Sequence, residues 1–252
     1  RNMKIRTIIS AFIICQGLSF LLSEENITVD EILSSIDANL YAKSMMYTSK
    51  QIIHGRRSSR TIESKAWVVG IDKAFMETLS PPREAGTKML KVGDKLWTYS
   101  PRTDRVIQIS GHMLRQSLNG SDMSYKDMME EQPLQSLYIA TLEGIEIING
   151  RKHHVLLLEA KITGLSYPKR RAWVDAEYFL PMKEELYAKS GKLLKSTSMD
   201  SVKQVQGRWY PTRLIYKDEL KRNSRGTEWI IDDIKFDVDI PDFRFSKALL
   251  RK

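Results

Sequence analysis

From Met46 onward, strand-length apolar runs alternate with short turn signals, and no other feature of the sequence restricts the fold as strongly. The signals are Gly55, Gly70-Ile71-Asp72, Gly86, Gly93-Asp94, Asn149-Gly150, Ser190-Gly191, Gly207 and Asn223 to Gly226. Asn-Gly between two apolar runs favours the tight turn of a hairpin. Strands joined by such short connections run antiparallel, so the chain is expected to form a large meandering sheet. In its last long strand, Trp229 and Ile231 share one parity, whereas Ile234, Phe236, Val238 and Ile240 take the other. One extra residue at Asp232-Asp233 returns both sets to a common face, which predicts a β-bulge and a local bend.

Helices are expected at two places. Thr28 and Glu31 have capping-box spacing, and Val29, Ile32, Leu33, Ile36 and Leu40 follow at helical intervals, predicting an amphipathic helix of about 16 residues. Between residues 111 and 135 the strand pattern stops. His112 to Leu118 reads as a short helix, Asn119-Gly120-Ser121-Asp122 as a turn, and Ser124 to Glu131 as a second helix that Pro133 ends. Met113, Leu114, Met123, Met128 and Met129 give this insertion an adaptable apolar surface.

The N-terminal end reads differently. Lys4 and Arg6 follow Met3 and precede an apolar stretch from Ile8 to Leu22, interrupted by Ser10, Gln16, Gly17 and Ser19. A basic region before a hydrophobic core is the pattern of a secretory signal peptide. At about 15 residues the stretch is shorter than the roughly 20 that span a bilayer core, which favours cleavage over anchoring. Cleavage after Ser19 or after Ser23 fits the preference for small residues, and both leave one domain, residues 24–252. Cys15, the sole cysteine, follows Ile14 rather than the small residue a lipidation site wants. It reads as part of the apolar core, with lipidation and a tethered product as the alternative, so the expected product is exported and held by packing without disulfides. Removing Arg1, Lys4 and Arg6 with this segment lowers the formal charge from +9 to +6. That balance suits anionic membrane surfaces and does not by itself indicate nucleic-acid binding.

Catalytic signatures are missing. His153 and His154 are neighbours on a strand pattern, so their side chains point to opposite faces and do not converge on one ion; one is expected outward and one partly buried. The sequence has no glycine-rich phosphate loop and no Gly-x-Ser-x-Gly elbow. Asp232-Asp233 and Glu184-Glu185 are strand neighbours, which argues against a shared acid–base site. Lys169-Arg170-Arg171 reads as a solvated edge, positive charge there discouraging pairing with other chains. No enzyme activity, metal or cofactor is expected.

Several stretches together resemble one family. They are Leu96-Trp97-Thr98-Tyr99-Ser100-Pro101-Arg102-Thr103-Asp104-Arg105-Val106, Gly120-Ser121-Asp122-Met123-Ser124-Tyr125-Lys126-Asp127-Met128, Ala172-Trp173-Val174-Asp175 with Leu180-Pro181-Met182-Lys183, Gly207-Arg208-Trp209-Tyr210-Pro211-Thr212, and Ile240-Pro241-Asp242-Phe243-Arg244-Phe245-Ser246. In this order they resemble the outer-membrane lipoprotein-sorting proteins, relatives of the carrier LolA. Met123 and Lys126 depart from the aromatic and acidic residues usual in that family.

The resemblance implies a mainly β, α+β fold: an incomplete antiparallel β-barrel curled around an apolar cavity and covered by the N-terminal helix and the central insertion. It also implies a non-catalytic periplasmic carrier of lipid or of lipoprotein acyl chains. A lipid sensor or accessory subunit of a membrane permease of the resistance-nodulation-division type, and an envelope scaffold, are the other classes it allows. Trp97, Tyr99, Met113, Leu114, Tyr125, Met128 and Leu137 are the candidates to line or close the cavity, on the apolar and Met-rich character of the central segment; ordinary core packing is the competing account of each.

Overall fold

The computed structural model describes residues 27–222 and 224–252. The expected signal segment, residues 1–23, lies outside them.

Helix α1 (Val29–Leu40) starts as the capping box predicts: the Glu31 amide donates to Thr28 Oγ1 at 3.2 Å, and the Thr28 amide to Glu31 Oε2 at 2.7 Å. It ends at Leu40, earlier than expected. Arg208 Nη1 donates to the carbonyls of Ala38 and Tyr41 at 2.7 and 2.8 Å, satisfying acceptors that another turn would have used. Tyr41 is already extended and leads into the sheet.

The chain then runs through β1 (Ser44–His54), β2 (Ser59–Val69), β3 (Lys73–Ser80), β4 (Lys88–Val92), β5 (Lys95–Ser100) and β6 (Arg105–Ile109). After the insertion come β7 (Tyr138–Ile148), β8 (Arg151–Ala160), β9 (Lys169–Asp175), β10 (Pro181–Tyr187), β11 (Leu193–Val205), β12 (Arg208–Asp218) and β13 (Thr227–Phe236). They form one 13-stranded sheet in the order β6-β5-β4-β3-β2-β1-β13-β12-β11-β10-β9-β8-β7. Two meanders thus join along β1 and β13, and the curved sheet stays unclosed, with β6 and β7 as its edges. At the β7–β8 turn, Asn149 (φ 52°) and Gly150 (φ 77°) both take the positive φ that a tight hairpin needs.

The expected bulge is present. Met46 pairs with Lys235 but Thr48 with Asp232, so β13 carries one more residue than β1, and Asp233 adopts φ 48°. Ile231 and Phe236 consequently share one apolar cluster with Tyr210, against which Trp229 and Ile234 also pack.

The insertion begins with single 3-10 turns at Gly111–Arg115 and Leu118–Gly120 and continues with α2 (Tyr125–Met129). Ser124 and Asp127 cap α2 reciprocally, as their spacing predicts. The helix stops at Met129, and Pro133 instead opens a further turn, α3 (Leu134–Leu137); proline fits a helix start because the amide it lacks would have no helical partner there. Asp122 ties the insertion to the sheet: its carboxylate accepts from Lys221 Nζ at 2.7 Å and Ser224 Oγ at 2.8 Å, and its amide donates to Thr227 Oγ1 at 3.0 Å.

Both faces of the sheet are covered over much of its width. On the inner face, Ile32, Leu33 and Ile36 of α1 pack with Leu134, Leu137, Tyr138, Leu156, Leu158, Ala172 and Val174. On the outer face, the C-terminal 3-10 turns Asp242–Phe245 and Lys247–Arg251 bring Phe245 and Leu250 onto Phe75, Leu90 and Trp97.

Two sequence-based expectations change. His153 and His154 are both buried, with no outward member: β8 lies between β7 and β9, and its residues on both faces are covered. Lys169-Arg170-Arg171 is not an edge, since β9 pairs with β8 and β10. Arg170 turns inward, and Arg171 pairs with Glu143 at 2.7 Å and Glu146 at 3.6 Å.

Candidate functional site

Helix α1 fills the inner face over β7, β8 and β9. Over the other half the inner face bounds an open chamber of about 230 Å³. A water takes about 10–15 Å³ by a comparable measure, so the space is far larger than a packing defect. Alternation on the strands supplies its wall, because side chains at i and i+2 share a face: Met45 and Tyr47 from β1, Ala66 and Val68 from β2, Met89 and Lys91 from β4, Leu214 and Tyr216 from β12, and Trp229 and Ile231 from β13. Leu40 at the end of α1, Tyr41 after it, and Met123, Met128 and Glu131 from the insertion form its cover. A smaller polar lobe of about 70 Å³ adjoins it. Leu40, Tyr41, Glu131, Met199, Leu214 and Tyr216 line both spaces, making them continuous.

Most charges of the lobe are satisfied. Asp127 accepts from Lys195 Nζ at 2.5 Å, from the Tyr167 hydroxyl at 2.6 Å and from the Ser124 amide at 2.6 Å. Burial would push its carboxyl up, but these donors outweigh burial and hold it below the usual carboxylate range. Glu130 accepts from the Ser166 amide and pairs with Lys126 at 3.2 Å. Arg170 Nε donates to the Tyr138 hydroxyl at 2.8 Å, and its Nη1 lies 3.8 Å from Glu184 Oε1.

Two charges stand apart. Among the described residues, Glu131 and Lys91 have no hydrogen bond or ion pair. Glu131 lines the chamber with its carboxyl crowded by protein atoms, yet the residue is exposed. Burial raises it above the usual carboxylate range, with Glu184 and Asp127 adding to the effect and Arg170 and Lys91 opposing it. Lys91 is lowered by its own burial. Burial likewise pushes the Tyr47 hydroxyl up to about 12 and those of Tyr41 and Tyr216 well above the ordinary phenol value.

The seven sequence candidates do not converge. Met128 lines the chamber. Met113, Leu114 and Tyr125 pack with it in the cluster that joins the insertion to Met89, Leu96 and Ile109. Leu137 packs with α1. Trp97 and Tyr99 have the opposite parity to the chamber-lining Leu96 and lie on the outer face with Phe245 and Leu250. The residues with open charge, Lys91 and Glu131, carry no sequence signal: β4 is buried almost throughout, so no alternation marks Lys91 as inward.

No metal site is formed: among the described residues, no group of three or more His, Cys, Asp or Glu side chains is placed to hold an ion. None of their helices is long and apolar enough to cross a membrane.

A family model with the description "uncharacterized protein" matches residues 70–252. Searching curated proteins gives no match. Solved structures do match along nearly the whole described chain. A DUF1329 family protein from Desulfovibrio piger superposes with a TM-score of 0.77 at 21% identity, covering 87% of this chain and 96% of that one. A domain from Vibrio parahaemolyticus described as an outer membrane lipoprotein-sorting protein gives 0.75 at 23%, covering 88% and 97%. A LolA superfamily protein from Nitrosomonas europaea gives 0.74 at 25%, covering 88% and 99%. These likenesses bear out the resemblance carried by the sequence motifs and the fold it implied.

Proposed function

We propose that this chain, which belongs to the family whose model spans residues 70–252 and has the LolA-like fold of outer-membrane lipoprotein-sorting proteins, is a non-catalytic periplasmic carrier of lipid or of lipoprotein acyl chains. One observation carries the reading: an apolar chamber, continuous with a polar lobe, remains open on the inner face beside a helix that fills the rest of that face.

Hydrophobic transfer alone gives such a chamber its affinity. Burying methylenes at roughly 0.8 kcal/mol each gives a chain of about 14 carbons on the order of 10 kcal/mol before ordering costs. No covalent step is needed. Methionines at the cover, Met123 and Met128, adapt to chains of different shape. A membrane permease of the resistance-nodulation-division type is the partner proposed to load or unload it.

Mass spectrometry of organic extracts from the protein purified out of the periplasm tests this directly. Lipid or an acylated species should co-purify, and the delipidated protein should bind a fluorescent long-chain fatty acid saturably. An empty protein that also fails to bind the probe would overturn the carrier reading.

A further inference from the structure

We propose that the chamber takes an amphiphile with a zwitterionic head, its anionic group on the Lys91 ammonium and its cationic group on the Glu131 carboxylate. This deepens the carrier reading and rests on it.

Lys91 is only 8% exposed, yet among the described residues nothing accepts from it. Its neighbours in kind are all engaged. Lys88 reaches the Leu249 carbonyl, Lys195 holds Asp127, and Arg170 holds Tyr138 and faces Glu184. Glu131 is the matching open acceptor, on the cover of the same space. Each lies in the other's field, but no ion pair joins them.

A charge withdrawn from water and left unpaired, as Lys91 is, is costly, and an occupant that answers it while also meeting the exposed, unpaired Glu131 is favoured over one that answers either alone. A fatty-acid carboxylate would pair with Lys91 and face the like charge of Glu131. An alkylammonium would meet the reverse problem at Lys91. A head carrying phosphate and ammonium satisfies both, and Tyr41 and Tyr216, which line both spaces with Glu131, are aromatic neighbours for the cation.

The test uses the delipidated protein and four ligands that share one tetradecyl-length chain: a zwitterionic lysophosphatidylethanolamine, the free fatty acid, the alkylamine and the uncharged monoacylglycerol. Each competes against the neutral probe N-phenylnaphthylamine. The zwitterion should bind about tenfold more tightly than the other three, as expected for charge-assisted contacts. Lys91→Met and Glu131→Gln, each shown folded by its thermal melt, should remove that preference, bringing the zwitterion's affinity down to that of the other three. Equal affinities for all four, or a preference for the acid or the amine, would overturn the inference and leave the carrier reading standing. If none of the four binds, the carrier reading falls and this inference with it.

Discussion

The Arg170 guanidinium donates to the Tyr138 hydroxyl at 2.8 Å and lies 4.7 Å from the centroid of that ring, which places a strand-borne cation inside the fold beneath α1 and the insertion. The Tyr138 hydroxyl in turn donates to the Tyr167 carbonyl at 3.0 Å, and Glu184 faces Arg170 at 3.8 Å. Removing one member of a buried pair strands the other. Arg170→Met should therefore cost about 3–5 kcal/mol in urea unfolding, whereas Arg170→Met with Glu184→Leu should recover much of it. Equal losses in single and double variants would show that the two charges are not coupled.

Asp127 sets an acid limit on the cover. Its carboxyl is held below its unfolded value by Lys195, Tyr167 and the Ser124 amide despite burial. Its contribution is complete above the unfolded pKa, near 3.9, and is lost as pH falls through the lower folded value. Asp127→Asn should be less stable than the parent at neutral pH, and the gap should close in acid. A gap of constant size across that range would count against the assignment.

Glu131 has the opposite sign. Burial raises its carboxyl, so its contribution is most favourable below the unfolded pKa and is lost as pH rises through the folded value. Glu131→Gln should raise the melting temperature of the ligand-free protein at neutral pH, and the advantage should vanish in acid. The stabilised variant should still have lost its preference for the zwitterionic ligand, the exchange expected when an open charge serves binding.

Met128 and Tyr99 separate the chamber from the outer face. Met128→Glu places a charge at the cover of the chamber and should weaken binding of N-phenylnaphthylamine about tenfold or more. Tyr99→Ser, on the outer face, should leave probe binding intact. Reversal of the two results in folded variants would relocate the site.

Leu250 is fully buried on the outer face, against Phe75, Leu90 and Trp97. Leu250→Ala should cost about 2–5 kcal/mol in denaturant unfolding. A loss below about 1 kcal/mol would mean that the C-terminal turn does not hold this cluster.

The antiparallel meander was determined by the sequence alone, because its turns are too short for any other connection, and Asn149-Gly150 even names the turn. The same is true of the capping boxes at Thr28 and Ser124 and of the bulge at Asp232-Asp233, each a matter of neighbours a few residues apart. Tertiary structure decided which face of each strand looks into the chamber. Alternation separates Leu96 from Trp97, but α1 and the insertion cover the inner face while the C-terminal turns cover the outer, so apolar character marks both sides. The inward turn of Arg170 and the open charges of Lys91 and Glu131 likewise come from strands and loops distant in sequence. Nothing local distinguishes those three from ordinary surface charges; only the curvature of the whole sheet brings them around one space.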